Sequence, residues 1–155
     1  MKHKQFDYYI FIDFSENLIG YNIIHKEKMF ELLPKISKFA HYKTLRNKRA
    51  YIKSIRKIID KKKIISYFVK HKIRQMRNNL EIYMDVFDFI KKNRDCIIFV
   101  SVDNSQYITF KKNVKIFDGE NIVIKKESEL VKGTPEYRAS LVLDTLLNVE
   151  RLKRC

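Results

Sequence analysis

Two aspartates lie at the ends of the two most apolar strand-like runs of the sequence. Residues 8–14 read YYIFIDF and include Asp13, and residues 96–103 read CIIFVSVD and end on Asp103. In open sheets that contain parallel strands, functional sites form beyond the carboxyl ends of the strands. If these two runs are neighbouring parallel strands, the two aspartates lie about one strand spacing apart, roughly 5 Å.

Two ionised carboxylates at that separation repel each other, and a divalent cation is the usual way to relieve the repulsion. Because the available ligands are hard oxygens, Mg²⁺ or Mn²⁺ is the expected cofactor. An aspartate after a strand is also a common turn residue, and the sequence Asp103-Asn104-Ser105 is typical of a turn. The two interpretations predict different surroundings for the carboxylates.

Asp144 is the candidate third acid, in the C-terminal segment ASLVLDTLLN. On a helical wheel it shares a stripe with four other residues that are polar or aromatic. These are Tyr137, Ser140, Asn148 and Arg151. The stripe either faces a metal site or is the solvent face of an ordinary helix. The candidate catalytic and metal-binding residues are therefore Asp13, Asp103 and Asp144.

The elements that position these residues follow from the apolar pattern. The sequence predicts a hairpin over residues 8–25, and apolar residues at every third or fourth position from Lys26 to Asn93 predict several helices, including residues 65–76. Strands are predicted again at 96–103, at 106–110 (QYITF), and at 114–117 and 121–126 as a hairpin around Asp118-Gly119. Thr134 as N-cap and Pro135 at the first position predict the start of a closing helix.

This order predicts an α/β fold, with a central mixed sheet and flanking helices. We expect a single domain over residues 1–155, with a basic helical block at 26–93 inserted between the first hairpin and the later strands. No Pro/Gly-rich linker divides the chain.

With an aspartate on the first strand, a second ending a later strand and a third on a C-terminal helix, the chain resembles the ribonuclease H-like superfamily of metal-dependent nucleases and transferases. The resemblance implies that Asp13 bridges two cations, that Asp103 and Asp144 each complete the ligand shell of one, and that the reaction is in-line hydrolysis of a phosphodiester. It also implies a fourth acid on an intervening helix, for which Glu31, Glu81 and Asp85 are the candidates.

Two features depart from that pattern. Ribonuclease H has three strands before its first helix, whereas only two are predicted here, and the block at 26–93 is larger than expected. The chain also resembles PIN-like nucleases in its first-strand aspartate, IFIDFSEN, but the predicted strand IGYNIIH argues against that fold.

Positive charge is concentrated in one part of the chain. The sequence has 33 Lys and Arg against 18 Asp and Glu, a net charge of +15, and residues 35–77 contain 16 basic residues and the single acid Asp60. Such a segment predicts a nucleic-acid partner, because a phosphate backbone is attracted to it regardless of base sequence. The predicted nucleic-acid-binding residues are Lys43, Arg46, Lys48, Arg49, Lys53, Arg56, Lys57, Lys61, Lys62, Lys63, Lys70, Lys72, Arg74 and Arg77.

Aromatic residues lie among these charges and are either stacking platforms for unpaired bases or core residues. They are Tyr42, Tyr51, Tyr67 and Phe68. His25, His41 and His71 have no metal-ligand spacing and are expected to be surface or structural residues.

Cys96 and Cys155 form neither a disulfide framework nor a metal-binding cluster, which indicates a reducing, cytoplasmic location. We see no signal peptide and no segment of transmembrane length, so no membrane association is expected.

The resulting hypothesis is a Mg²⁺- or Mn²⁺-dependent nuclease that acts on RNA or DNA. The alternative is a non-catalytic nucleic-acid-binding or complex-scaffolding protein. Convergence of the three aspartates at one site separates the two, because only the nuclease requires it.

Overall fold

A computed structural model describes residues 6–101, 108, 110–114 and 122–153. Its five strands form one mixed sheet in the order β3-β2-β1-β4-β5. The strands are β1 (Tyr8–Ser15), β2 (Leu18–His25), β3 (Lys70–Gln75), β4 (Cys96–Val100) and β5 (Val123–Lys126). The pairs β1–β2 and β2–β3 are antiparallel, and β1–β4 and β4–β5 are parallel. The predicted mixed sheet is confirmed.

Helices cover both faces of this sheet. They are α1 (Lys26–Leu32), α2 (Lys48–Lys61), α3 (Asn79–Lys92), α4 (residues 110–114) and α5 (Pro135–Lys153). Side chains of α1, α2 and α5 share one core with Tyr9 and Phe11 of β1, whereas side chains of α3 and α4 share the other with Ile10 and Ile12. Because successive side chains of a strand point to opposite faces, Asp13 belongs to the face that α5 covers.

The predicted hairpin at residues 8–25 is confirmed. β1 and β2 pair in register from Tyr8 opposite His25 to Ser15 opposite Leu18, so only Glu16 and Asn17 form the turn. Glu16 has the left-handed φ of 53° that such a tight connection requires. Asp13 is therefore not the last residue of its strand but lies directly opposite Gly20.

The helical prediction for residues 65–76 is wrong. Lys70–Gln75 forms β3, the edge strand beside β2. A 3-10 turn at Ile64–Tyr67 and another at Met76–Asn78 flank the strand, and together they imitate helical spacing. An edge strand is also mostly solvated, so it lacks the strong apolar alternation that reveals inner strands. β3 is the third strand that the sequence pattern did not reveal, and α1 and α2 are inserted between the second and third strands.

The strands predicted after β4 are correct only in part. Residues 108 and 110–114 are helical, so the predicted strand QYITF is wrong at 108 and 110. Val114, predicted to begin a strand, is also helical and is buried beside Phe110 against the second face. The rest of that strand and the hairpin turn at Asp118-Gly119 lie outside the described residues. β5 forms as predicted, but it pairs with β4 in the parallel direction.

Helix α5 starts where the sequence predicts. The Thr134 hydroxyl oxygen accepts a hydrogen bond from the backbone N–H of Tyr137 at 3.3 Å, and Pro135 is the first helical residue. The helix packs on β1 and β2 and also contacts α2, so its middle turns are buried on nearly every side. No helix among the described residues combines the length and apolar character that crossing a bilayer would need.

Candidate active site

Three neighbouring parallel strands bring polar side chains to the same end of the sheet. Asp13 follows Tyr9 and Phe11 on the α5 side of β1. Ser101 directly follows β4 and donates its backbone N–H to the carbonyl of Ile12 at 2.9 Å, which continues the parallel ladder. Glu127 directly follows β5. The carboxyl ends of β1, β4 and β5 therefore meet at one small site.

Helix α5 places Asp144 against this strand end. Asp13 and Asp144 are each only 8% exposed. The Asp144 Oδ2 atom accepts a hydrogen bond from the backbone N–H of Tyr42 at 2.9 Å, and this contact fixes the carboxylate from the side of the inserted segment. The carboxylates of Asp13, Glu127 and Asp144 all line one pocket of about 470 Å³.

The polar stripe of α5 faces the protein and not the solvent. Asn148 Oδ1 accepts a hydrogen bond from the Ser15 hydroxyl at 2.9 Å. Arg151 donates to the same hydroxyl at 3.2 Å and to Asn148 Oδ1 at 3.0 Å. Tyr137 and Ser140 line the pocket with Asp144. The stripe is therefore not the solvent face of an ordinary helix.

The buried carboxyl groups perturb one another. Burial raises the pKa of Asp13 well above its ordinary value, and the neighbouring charges of Glu127 and Asp144 raise that pKa further. Burial also raises the pKa of Glu127, with a second contribution from Asp144. The Ser101 side chain hydrogen-bonds to both Asp13 and Glu127 and partly offsets these shifts. The site favours neutralisation, either by a proton or by a cation.

The donor set fits a hard divalent cation, although the described residues do not form a complete metal cluster. Asp13, Glu127 and Asp144 line one pocket, where the neighbouring charge of Glu127 disfavours the ionised form of Asp13. Oxygen donors that are pressed together in this way are the ligands that Mg²⁺ and Mn²⁺ prefer. Within residues 6–101, 108, 110–114 and 122–153, no group of three His, Cys, Asp or Glu is close enough to hold a metal ion. Asp103 lies outside the described residues.

The predicted candidates for a fourth acid do not reach the pocket. Glu31 is exposed and pairs with Lys28 at 3.1 Å. Glu81 and Asp85 belong to α3 on the other face of the sheet, where both pair with Lys72. The acid that does reach the pocket is Glu127, which the sequence interpretation missed. The rule that selected Asp13 and Asp103 would also have selected Glu127, had β5 been recognised as parallel to β4.

Basic and imidazole groups line the rest of the pocket. Lys43, Lys126 and Lys132 lie on its wall, so an anion that enters the pocket meets positive charge beside the carboxylates. His41 also lines the pocket, and its Nδ1 atom is buried without a hydrogen-bond partner among the described residues. A buried polar atom of this kind requires a partner such as water or substrate.

The other predicted nucleic-acid-binding residues lie at several places. Lys72 and Arg74 lie on β3 and form ion pairs with acids of α3. Lys70 is exposed on β3, and Arg77 is exposed in the turn that follows it. The remaining residues are exposed on α2 and at its two ends. These are Arg46, Lys48, Arg49, Lys53, Arg56, Lys57, Lys61, Lys62 and Lys63.

Comparisons with known proteins support the fold. No protein-family model matches the chain, and no curated protein matches it. Among solved structures, ribonuclease H2 from Pyrococcus horikoshii OT3 superposes with a TM-score of 0.56 and 13% identity, over 94% of this chain and 72% of that one. RNase HII from Archaeoglobus fulgidus, solved in a complex with PCNA, gives a TM-score of 0.52 and 11% identity, over 95% and 72%. The chain therefore has a ribonuclease H-like fold.

Proposed function

We propose that this chain is a divalent-metal-dependent nuclease that hydrolyses phosphodiester bonds of RNA or DNA. The observation that carries the proposal is the convergence of the buried Asp13 and Asp144 and the half-buried Glu127 on one pocket. Gathering three acids in one pocket, two of them buried, opposes folding, and a hard cation offsets that cost. The shared fold with ribonuclease H2 and RNase HII supports the same reaction class, although a fold alone does not determine activity.

In this proposal Asp13, Glu127 and Asp144, together with Asp103, hold Mg²⁺ or Mn²⁺. When bound, the cation supplies Lewis-acid chemistry that activates water and stabilises the leaving oxygen. The protein groups around it have separate tasks. The Ser101 side chain orients the carboxylates of Asp13 and Glu127, and the Tyr42 N–H fixes that of Asp144.

The lysines of the pocket wall attract the phosphate that is to be cleaved. Lys43, Lys126 and Lys132 provide this positive field, whose effect is strongest inside a concave site with low-dielectric walls. Neutralising the phosphate also reduces its repulsion from the acids. The basic wall is therefore required for the anionic substrate to approach a cluster of carboxylates.

Cleavage assays on single- and double-stranded RNA and DNA test the proposal. We expect cleavage with Mg²⁺ or Mn²⁺ and none with EDTA. Glu127→Gln and Asp13→Asn should each reduce the rate by more than about 100-fold, which is the upper range for losing a residue that merely supports a metal ligand. Glu31→Gln is the matched control, because Glu31 is an exposed glutamate with only a surface ion pair. Cleavage that persists in EDTA, or equal rates for Glu127→Gln and Glu31→Gln, would refute the proposal.

A non-catalytic nucleic-acid-binding protein is the second candidate. The exposed basic residues of α2 favour it, because they attract a phosphate backbone without any metal site. It predicts salt-dependent binding without cleavage, and binding that Asp13→Asn and Glu127→Gln leave unchanged. Cleavage that depends on these two acids would eliminate it.

A further inference from the structure

The positive charge of the segment between β2 and α3 is distributed between two surfaces with different partners. On β3, Lys72 Nζ lies 3.0 Å from Glu81 Oε2 and also pairs with Asp85. Arg74 Nε lies 3.0 Å from the same glutamate oxygen. These two cations are neutralised by α3, so Lys72 and Arg74 are poor candidates for binding a polyanion.

The exposed face of α2 is different. Arg49, Lys53, Arg56 and Lys57 are exposed there and have no ion-pair partner among the described residues. The opposite face of the helix carries Ile52, Ile55 and Ile59, which are buried against the core. This face therefore keeps its positive charge available.

Helix stability does not account for these charges. The first turn of α2 contains no acidic residue and holds Lys48 and Arg49. Cations near the N-terminus of a helix are unfavourable, because the helix dipole is positive at that end. A sequence selected for helix stability alone would have acids in these positions. The observed charges indicate an anionic partner outside the chain.

Helix α2 begins beside the candidate active site. Tyr42 donates its backbone N–H to Asp144, and its ring lies 5.7 Å from both Lys48 Nζ and the guanidinium carbon of Arg151. Within the helix, the Tyr51 hydroxyl is 2.7 Å from the hydroxyl of Thr145, the residue next to Asp144. Its 14 residues span about 21 Å at 1.5 Å per residue. Positive charge thus continues from Lys43 in the pocket along the helix.

Three of the four aromatic residues of the basic segment are held by contacts within the protein and are not available for base stacking. The Tyr51 hydroxyl bonds to Thr145 and to the backbone of Ala40. Phe68 is buried in the core, and Tyr67 packs against it with Lys35 Nζ 5.1 Å from its ring centre. Proteins that bind unpaired bases usually combine a basic groove with free aromatic rings. Helix α2 offers charge without such rings.

We propose that α2 is an arm that binds the phosphate backbone of the nucleic acid beyond the bond that is cut, without reading the bases. This inference rests on the proposed function, because it takes the acidic pocket as the position of the cut. At 3.4 Å per base pair, the length of α2 corresponds to about 6 base pairs. A bound duplex gains affinity from the arm only if it extends beyond the pocket by about that length.

Binding measurements in EDTA test the arm without cleavage. The arm variant is Arg49→Gln/Lys53→Gln/Lys57→Gln. The matched control is Lys92→Gln/Lys111→Gln/Lys112→Gln, which removes three exposed lysines from α3 and α4. Both variants lose three positive charges, and glutamine has nearly the helix propensity of lysine and arginine. The probes are a DNA duplex that extends past the pocket by the arm length, a duplex that does not, and vesicles containing phosphatidylserine.

We expect the arm variant to bind the long duplex at least about tenfold more weakly at 0.1 M salt, with the slope of log K against log salt smaller by about 2–3. The control variant should bind it within about twofold of the unmodified protein. The short duplex should bind equally to both variants. Changing the base sequence of the long duplex should leave these ratios unchanged.

Three results would overturn the inference. Equal weakening by both variants would show that net charge alone attracts the duplex. No weakening by the arm variant would place the binding surface elsewhere. Loss of vesicle binding with unchanged duplex binding would make the partner of α2 a membrane surface.

Failure of the arm and failure of the nuclease proposal give different results. Cleavage that depends on Asp13, combined with binding that is indifferent to the arm variant, refutes the arm alone. Binding that depends on the arm, without cleavage in Mg²⁺ or Mn²⁺, supports the arm and refutes the nuclease.

Discussion

Replacing Gly20 with alanine tests whether the close packing of α5 on the sheet positions the candidate active site. Gly20 lies opposite Asp13 in the hairpin. A Cβ atom at this position would lie 2.9 Å from Ile73 Cγ1, 3.0 Å from the carbonyl oxygen of Lys72 and 3.3 Å from Leu147 Cδ2. Contacts this short require a shift, and the carbonyl belongs to the backbone of β3, which cannot rotate away.

Overfilling a packed site of this kind costs about 1–3 kcal/mol. The described packing leaves two ways to relieve the overlap: β3 separates from β2, or α5 moves away from the sheet. For a chain of this size, 1 kcal/mol lowers the Tm by about 2–4 °C, so we expect Gly20→Ala to lower it by about 2–12 °C. Because Leu147 lies about one turn after Asp144, a shift of α5 should also slow cleavage.

Thermal unfolding followed by circular dichroism measures the first effect, and the cleavage assay measures the second. Ile73→Ala in the Gly20→Ala background removes the nearest clashing atom, so it should recover part of the Tm, although Ile73→Ala alone should lower it. A Gly20→Ala protein with the Tm and cleavage rate of the unmodified chain would refute the reasoning. So would a double variant whose losses simply add, since residues that clash must be coupled.

Two further predictions concern the pocket acids and the contact between α2 and α5. Asp13→Asn should raise the free energy of unfolding at pH 7 in EDTA. In the unmodified protein the folded chain keeps the Asp13 proton to a higher pH than the unfolded chain does, so its stability falls as the pH rises above about 4. Each pH unit between the unfolded and the folded pKa of Asp13 costs about 1.4 kcal/mol. Urea unfolding at several pH values should show that the difference in unfolding free energy between the variant and the unmodified protein disappears towards pH 4. A difference that does not change with pH would contradict the titration of Asp13 as its cause. Tyr51→Phe should destabilise the chain by about 1–3 kcal/mol in urea unfolding, because it leaves the buried Thr145 hydroxyl without this partner. Tyr83→Phe, at a half-buried hydroxyl with no hydrogen-bond partner among the described residues, should change stability little.

The inner strands and the position of Asp13 could be predicted because strands that are buried on both faces are continuous apolar runs. Tyr9, Phe11 and Asp13 alternate with Ile10 and Ile12, and this alternation is enough to assign Asp13 to one face of the sheet. The edge strand β3 has no such apolar run. β3 is mostly polar, and its neighbouring 3-10 turns continue an apparent helical period.

Glu127 was missed because the direction of β5 cannot be read from its residues. The sequence NIVIKKE has a turn-forming Asp118-Gly119 before it, which favours an antiparallel hairpin. In the fold, β5 is parallel to β4, so the carboxyl ends of the two strands lie at the same edge of the sheet. An antiparallel β5 would have its carboxyl end at the opposite edge. A parallel pairing depends on tertiary contacts far away in the chain, whereas a hairpin is suggested by local residues.

The segment inserted between β2 and β3 connects the two proposals physically. Its residue Tyr42 fixes the carboxylate of Asp144, and the ring of the same residue lies under Lys48 at the start of α2. A nucleic acid whose phosphate backbone attracts α2 would therefore also pull on the hydrogen bond between Tyr42 and Asp144. Coupling of this kind requires no long pathway, because one residue touches both elements.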